Sequence, residues 1–188
     1  MSFSAKMKET ALNPNFMTVS RVLAVPVLIV LLMFETRITT FVAALVFSAA
    51  SITDYLDGYI ARKYELVSTL GKMLDPLADK LLISTAFVML VELGFMPGWI
   101  ACVIIGRELA VTGLRSIMVE YGEDVAASML GKLKTGFQIA AVIPLLLHYS
   151  YLGINFGGIG TVLLYGALIF TLWSGVDYFV KSKKILGF

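Results

Sequence analysis

Residues 54–79 read DYLDGYIARKYELVSTLGKMLDPLAD. Its four aspartates, Asp54, Asp57, Asp75 and Asp79, fall in segments apolar enough to lie in a membrane. A carboxylate in hydrocarbon costs roughly 2.5–3.5 kcal/mol on translocon-type scales. Four of them, unpaired and additive, would cost about 10–14 kcal/mol. A chain keeps that many only where something cationic neutralises them. A divalent metal together with a phosphorylated substrate would do so.

The rest of the chain has the composition of a membrane protein. It has 188 residues, 59% hydrophobic and 15% charged, where a soluble domain carries about 25% charged residues. The length allows one compact bundle, so residues 1–188 are expected to form a single domain. Apolar runs long enough to cross about 30 Å of hydrocarbon lie near 17–34, 38–61, 73–93, 97–118, 127–149 and 157–180. The expected fold is an all-α integral membrane bundle of six transmembrane helices. The N-terminal SFSAKMKETALNPNFM has no apolar core followed by a small-residue cleavage site. It reads as a short interfacial segment, with Lys6, Lys8 and Glu9 beside Phe3, Met7 and Leu12. The single cysteine, Cys102, excludes an internal disulfide and a cysteine-based metal site. Nothing in the charge pattern points to nucleic acid.

Basic residues orient the spans. With both termini on one side, that side receives all the lysines and arginines except Arg37. The termini are therefore expected in the cytoplasm of a cell whose plasma membrane holds the chain.

Positions 54, 57, 58 and 61 share one helix face, carrying Asp54, Asp57, Gly58 and Ala61. Gly71, Asp75 and Asp79 share a face of the next helix. A tight cytoplasmic turn between them makes the two helices antiparallel neighbours. The acids then lie at similar depth, within about 12 Å of the cytoplasmic surface. Four carboxylates suit a pair of hard cations such as Mg2+ or Mn2+. The only histidine, His148, falls toward the outer face as an interfacial side chain. Gly58 and Ala61 leave room for a flat group such as a nucleobase, or for close helix packing. An ion-pair network of the acids with Arg62, Lys72 and Lys80 is the structural alternative.

The complete spacing, DxxDGxxAR, eight residues, then GxxxDxxxD, resembles the signature of the CDP-alcohol phosphotransferases. Asp54, Asp57, Gly58, Ala61, Arg62, Gly71, Asp75 and Asp79 all match. That family has a six-helix membrane fold, so the resemblance covers essentially the whole chain. It implies a homodimer, a CDP-linked donor, two Mg2+ or Mn2+ ions and release of CMP. By the resemblance, Asp54, Asp57 and Asp75 bind metal and Asp79 completes the site. Asp79 is also the implied base toward the acceptor hydroxyl. Asn15, Asp54, Gly58, Ala61, Arg62 and Gly71 are the implied CDP-binding residues.

The acceptor is read from the remaining cations. Arg107 and Arg115 lie within span four in IIGRELAVTGLRS, and Glu108, Thr112 and Arg115 share a stripe. Span five opens with GKLKTG, giving Lys132 and Lys134. Arg107, Thr112, Arg115, Lys132 and Lys134 are candidate ligands for an anionic phosphate. A charge inside a span usually has a partner, and Glu108 could serve Arg107. These segments, and PNFMTVSRV with Asn15, Thr18 and Arg21, look like those of the branch of the family that joins CDP-diacylglycerol to sn-glycerol 3-phosphate. A family member with another acceptor, such as inositol phosphate, is the chemical rival. An intramembrane prenyltransferase would give Gly58, Ala61 and Arg62 no role. A cation transporter would more often repeat its motif in matching halves, and DxxDGxxAR does not recur here.

Overall fold

The computed structural model describes residues 14–64, 69–120, 129–151 and 153–186. Within helices and strands, the side chains of 14–19, 54–64, 69–77, 79, 120, 151 and 184–186 lie outside that description. The N-terminal interfacial segment lies outside it as well. The described residues form six helices: α1 Pro14–Leu32, α2 Arg37–Tyr64, α3 Thr69–Glu92, α4 Gly98–Glu120, α5 Met129–Leu147 and α6 Phe156–Leu186. A two-stranded antiparallel hairpin, β1 Ser150–Tyr151 and β2 Ile154–Asn155, joins α5 to α6. The all-helical expectation holds, with that hairpin as the addition. The chain divides into two compact units, residues 1–89 and 90–188.

Helix ends follow local chemistry. Pro14 opens α1, where its missing N–H is one that a first turn leaves unbonded anyway. Between α1 and α2, Glu35 adopts φ 45° and the chain turns. Thr36 then caps α2 reciprocally. The Thr39 N–H donates to Thr36 Oγ1 at 3.2 Å, and the Thr36 N–H donates to Thr39 Oγ1 at 3.1 Å. In the second unit, Asn155 Oδ1 accepts the Gly158 N–H at 2.9 Å and so caps α6.

In the first unit, α1 packs on α2. The buried stripe of α1 is Arg21, Val25, Leu28 and Leu32, and that of α2 is Thr40, Ala43, Ala44, Phe47, Ala50 and Ser51. Both repeat at helical spacing. The alanines of α2 let backbones approach, as membrane helices favour.

In the second unit, α6 packs on both α4 and α5. One stripe of α6 is buried along its whole length: Gly160, Leu164, Ala167, Thr171, Ser174, Gly175, Tyr178 and Ser182. The closest approach is at Gly160, where an added Cβ would stand 2.7 Å from Leu145 Cγ and 2.8 Å from the Leu145 backbone nitrogen. Two turns along, Phe137 and Phe170 stack with centroids 4.7 Å apart.

The polarity of this unit is reversed from that of a soluble protein. Val162 and Trp173 are 73% and 61% exposed on α6, whereas Lys134 and Gln138 on α5 are 7% and 1% exposed. Among the described residues, the stretches Met129–Leu147 and Phe156–Lys183 are each long and apolar enough to cross a membrane. Of the six spans expected from hydropathy, these two meet that test. On α4 the charges Arg107, Glu108 and Arg115 interrupt the apolar run.

Candidate active site

The backbone puts the acidic motif where its spacing requires. Asp54, Asp57, Gly58, Ala61 and Arg62 lie in the last turns of α2, and Gly71, Asp75 and Asp79 in the first turns of α3. Helical spacing gives each set one face. The α3 helix continues through Pro76. The side chains of these eight residues, and that of Asn15 in the first turn of α1, fall outside the described ones. As a donor set, four carboxylates with no sulfur or imidazole among them fit hard oxygen-seeking cations.

A second set of candidate residues is described in atomic detail, and it is a buried polar cluster on α4, α5 and α6 of the second unit. Glu108 sits at its centre. Its Oε1 accepts from Arg107 Nη1 at 3.2 Å, from Lys134 Nζ, and from Gln138 Nε2 at 3.4 Å. Gln138 Nε2 also donates to Thr171 Oγ1 at 3.2 Å. Arg107 Nη2 donates to Ser174 Oγ at 3.0 Å, and Ser174 Oγ donates to the Thr171 carbonyl at 3.2 Å. Gly175 makes room for the arginine, since a Cβ there would lie 3.2 Å from Arg107 Cγ and 3.3 Å from Nε. Two cations thus meet on one carboxylate in a site screened from water.

Five acceptor-site residues were expected from the sequence, and the structure brings two of them, Arg107 and Lys134, onto one carboxylate. Glu108 is the partner of Arg107, as the intraspan charge required. Thr112 turns inward on its own helix, donating to the Glu108 carbonyl at 2.6 Å. Arg115 and Lys132 are exposed. Eight residues of helix put Arg115 about 12 Å along α4 from Arg107, and Lys132 stands half a turn from Lys134 on another face of α5. Gln138, Thr171 and Ser174 were not anticipated. The signal was there: Gln138 follows Lys134 by four residues in an otherwise apolar helix, and Thr171 and Ser174 are polar residues deep within α6.

His148, at the end of α5, packs between aromatic rings. Its centroid is 3.9 Å from those of Phe95 and Tyr149. Burial against these rings pushes the imidazole below its ordinary pKa, while a hydrogen bond to the Leu146 carbonyl opposes the shift.

The profile of the CDP-alcohol phosphatidyltransferases matches residues 11–173. The chain belongs to that family and is a transferase. Among its relatives is the CDP-diacylglycerol–glycerol-3-phosphate 3-phosphatidyltransferase of Bacillus subtilis, 41% identical over 92% of this chain and 96% of that protein. Proteins of the same name from Rickettsia felis and Escherichia coli are 39% and 34% identical. The former match covers 91% of this chain and 95% of the relative, and the latter 92% and 96%.

Proposed function

We propose that this chain transfers the phosphatidyl group of CDP-diacylglycerol to sn-glycerol 3-phosphate, giving phosphatidylglycerophosphate and CMP. The observation that carries the acceptor half is the pair of buried cations on α4 and α5, Arg107 and Lys134, brought together on Glu108. A neutral alcohol would gain little from two cations so placed, whereas a small phosphate dianion does. Relatives that carry this activity in their names, matched over nine-tenths of the chain, support the same reading.

In this reading the acceptor hydroxyl oxygen attacks the phosphorus that bears diacylglycerol. Its proton passes to the Asp79 carboxylate, the bond to the bridging oxygen breaks, and CMP leaves. Asp54, Asp57, Asp75 and Asp79 would hold two Mg2+ or Mn2+ ions, which when bound supply charge neutralisation at the diphosphate. Asn15, Gly58, Ala61, Arg62 and Gly71 line the nucleotide side. Arg107 and Lys134 hold the acceptor's phosphate, with Thr112, Arg115 and Lys132 at its approach. Positioning and charge neutralisation do most of the work in such phosphoryl chemistry.

The same reading places the chain as a homodimer in the bacterial plasma membrane, crossing it six times with termini and site cytoplasmic. The outward apolar faces of α1, α2, α5 and α6 support the spans. An acceptor panel tests the function. Purified enzyme with CDP-diacylglycerol and Mg2+ or Mn2+ should release CMP only when glycerol 3-phosphate is added. Release with serine or inositol phosphate instead refutes the acceptor.

A further inference from the structure

Among the described residues the most deeply buried charge is Arg21, on α1 and 2% exposed. It lies on the stripe that α1 buries in the first unit, one turn before Val25. Neither the acceptor cluster nor the nucleotide side includes it. An arginine keeps its charge inside a protein, and a buried charge needs an opposite one within reach.

The topology of the first unit points to that opposite charge. α1 packs on α2 and is joined to it by the turn at 33–36. Arg21 stands as far from the end of α1 at Leu32 as Ser48 stands from the start of α2 at Arg37. The two are therefore at about the same level of the antiparallel pair. The buried stripe of α2 passes this level through Phe47, Ala50 and Ser51. Position 54 is its next member, i+3 from Ser51 and i+7 from Phe47. It lies about 9 Å beyond the level of Arg21. Helical side chains lean toward their own N-terminus, so on antiparallel helices positions 21 and 54 lean toward each other. An arginine is long enough to close most of that gap. Between Pro14 and Tyr64 the sequence holds two other acids, Glu35 and Asp57. Glu35 is exposed beyond the far end of α1, about 21 Å along it, and Asp57 is almost a turn further from Arg21 than Asp54.

We propose that Arg21 is the resident counter-charge of Asp54, a positioning residue that holds this carboxylate ready for metal. The inference rests on the metal reading given above and deepens it. Four neighbouring carboxylates repel one another, and a fixed cation on α1 offsets that repulsion before any ion arrives. A guanidinium can bind one carboxylate oxygen and leave the other to a metal, as the outer partners of metal ligands do. Arg21 acts through Asp54 and touches neither substrate nor metal.

The test uses the full-length enzyme in lipid nanodiscs with Mn2+ alone, followed by the electron paramagnetic resonance of the free ion. Arg21→Met keeps a long side chain and removes the charge. The Mn2+ dissociation constant should rise about 10–100-fold, the usual effect of removing such an outer partner. Unchanged binding would make Arg21 a packing residue and overturn the proposal. Tighter binding would overturn it too, since Arg21 would then only repel the ion. Arg21→Lys keeps the charge without the planar fork, and should weaken Mn2+ severalfold. It carries the metal test if Arg21→Met does not fold, and an unchanged constant in it would then be the refuting result. A metal-free double-mutant cycle is the independent arm. Arg21→Lys should lower the melting temperature less in an Asp54→Asn background than in the unaltered protein. An equal drop in both backgrounds would overturn the pairing. If the unaltered enzyme bound no Mn2+, the metal reading would fall, and the metal-free cycle would still decide whether Arg21 and Asp54 are partners.

Discussion

Replacing Glu108 with glutamine removes the carboxylate on which two buried cations meet. The side chains of Arg107, Glu108 and Lys134 are 11%, 14% and 9% exposed, so solvent does little to replace the lost charge. The amide keeps the shape and one acceptor oxygen, so Gln138 keeps a partner. What is lost is neutralisation. Breaking a buried pair from one side costs about 3–5 kcal/mol. At about 2–4 °C per kcal/mol for a chain of this size, the melting temperature should fall by roughly 6–20 °C. Thermal unfolding of the purified protein in detergent measures it. Two companion results follow from the same electrostatics. Inorganic phosphate should recover part of the loss, about 2.7 kcal/mol at a hundred times its dissociation constant. Adding Lys134→Met should recover part of it too, because one of the two buried cations is then gone. A melting temperature within a degree or so of the unaltered protein would refute the reasoning, since the two cations would then not depend on Glu108.

Three further outcomes are expected. Gly160→Ala should destabilise by about 1–3 kcal/mol, because its Cβ would meet the Leu145 backbone nitrogen at 2.8 Å and backbone cannot step aside as a side chain can; chemical or thermal unfolding reads this directly. Stability should fall as pH drops through 6.5, the ordinary histidine value. The folded chain resists protonating His148, so the unfolded chain binds the proton first and gains. That contribution is complete above 6.5, and His148→Phe should flatten the slope between 6.5 and the lowered folded value. Asp79→Asn should abolish CMP release while nucleotide still binds, seen by calorimetry with a CDP-containing donor; a variant that keeps turnover removes Asp79 as the base.

The sequence shows the helices more clearly than their faces, and the reason is the solvent. Span five was expected over 127–149 and α5 runs Met129–Leu147; span six was expected over 157–180 and α6 runs Phe156–Leu186. The overshoot at α6 has a simple cause. Its last turns carry Lys181 and Lys183, so hydropathy ends before the helix does. Faces are harder. In water, burial sorts apolar from polar and leaves a 3.6-residue period. In α6, Leu164 is buried and Ile169 is 61% exposed, though both are aliphatic. Lipid accepts either, so the pattern carries no direction. Polar and small residues keep the information: Gly160, Thr171, Ser174 and Gly175 all fall on the buried stripe. The backbone positions of the acidic motif follow a different rule. Charge spacing on a helix is fixed by geometry, and its residues stand on α2 and α3 as that geometry requires.

The same logic explains why the acceptor cluster was only partly readable. Counting cations gave Lys132 and Lys134 equal standing, since the sequence does not distinguish a lysine that snorkels from one that turns inward. Packing makes the distinction. Lys134 is held inward because Glu108 and Gln138 lie beside it, whereas Lys132, two residues earlier, faces out. Arg107 is held because Gly175 removes the side chain that would displace it. A buried cation thus needs two things from its neighbours: an acceptor and a space. The acceptor can be sought at i+1, i+4 or on an adjacent span, but the space is set by residues on α6 more than sixty positions away. The cluster therefore depends on Gly175 and Ser174 as much as on the charges. Substitutions at those two positions should move acceptor affinity before they move donor affinity.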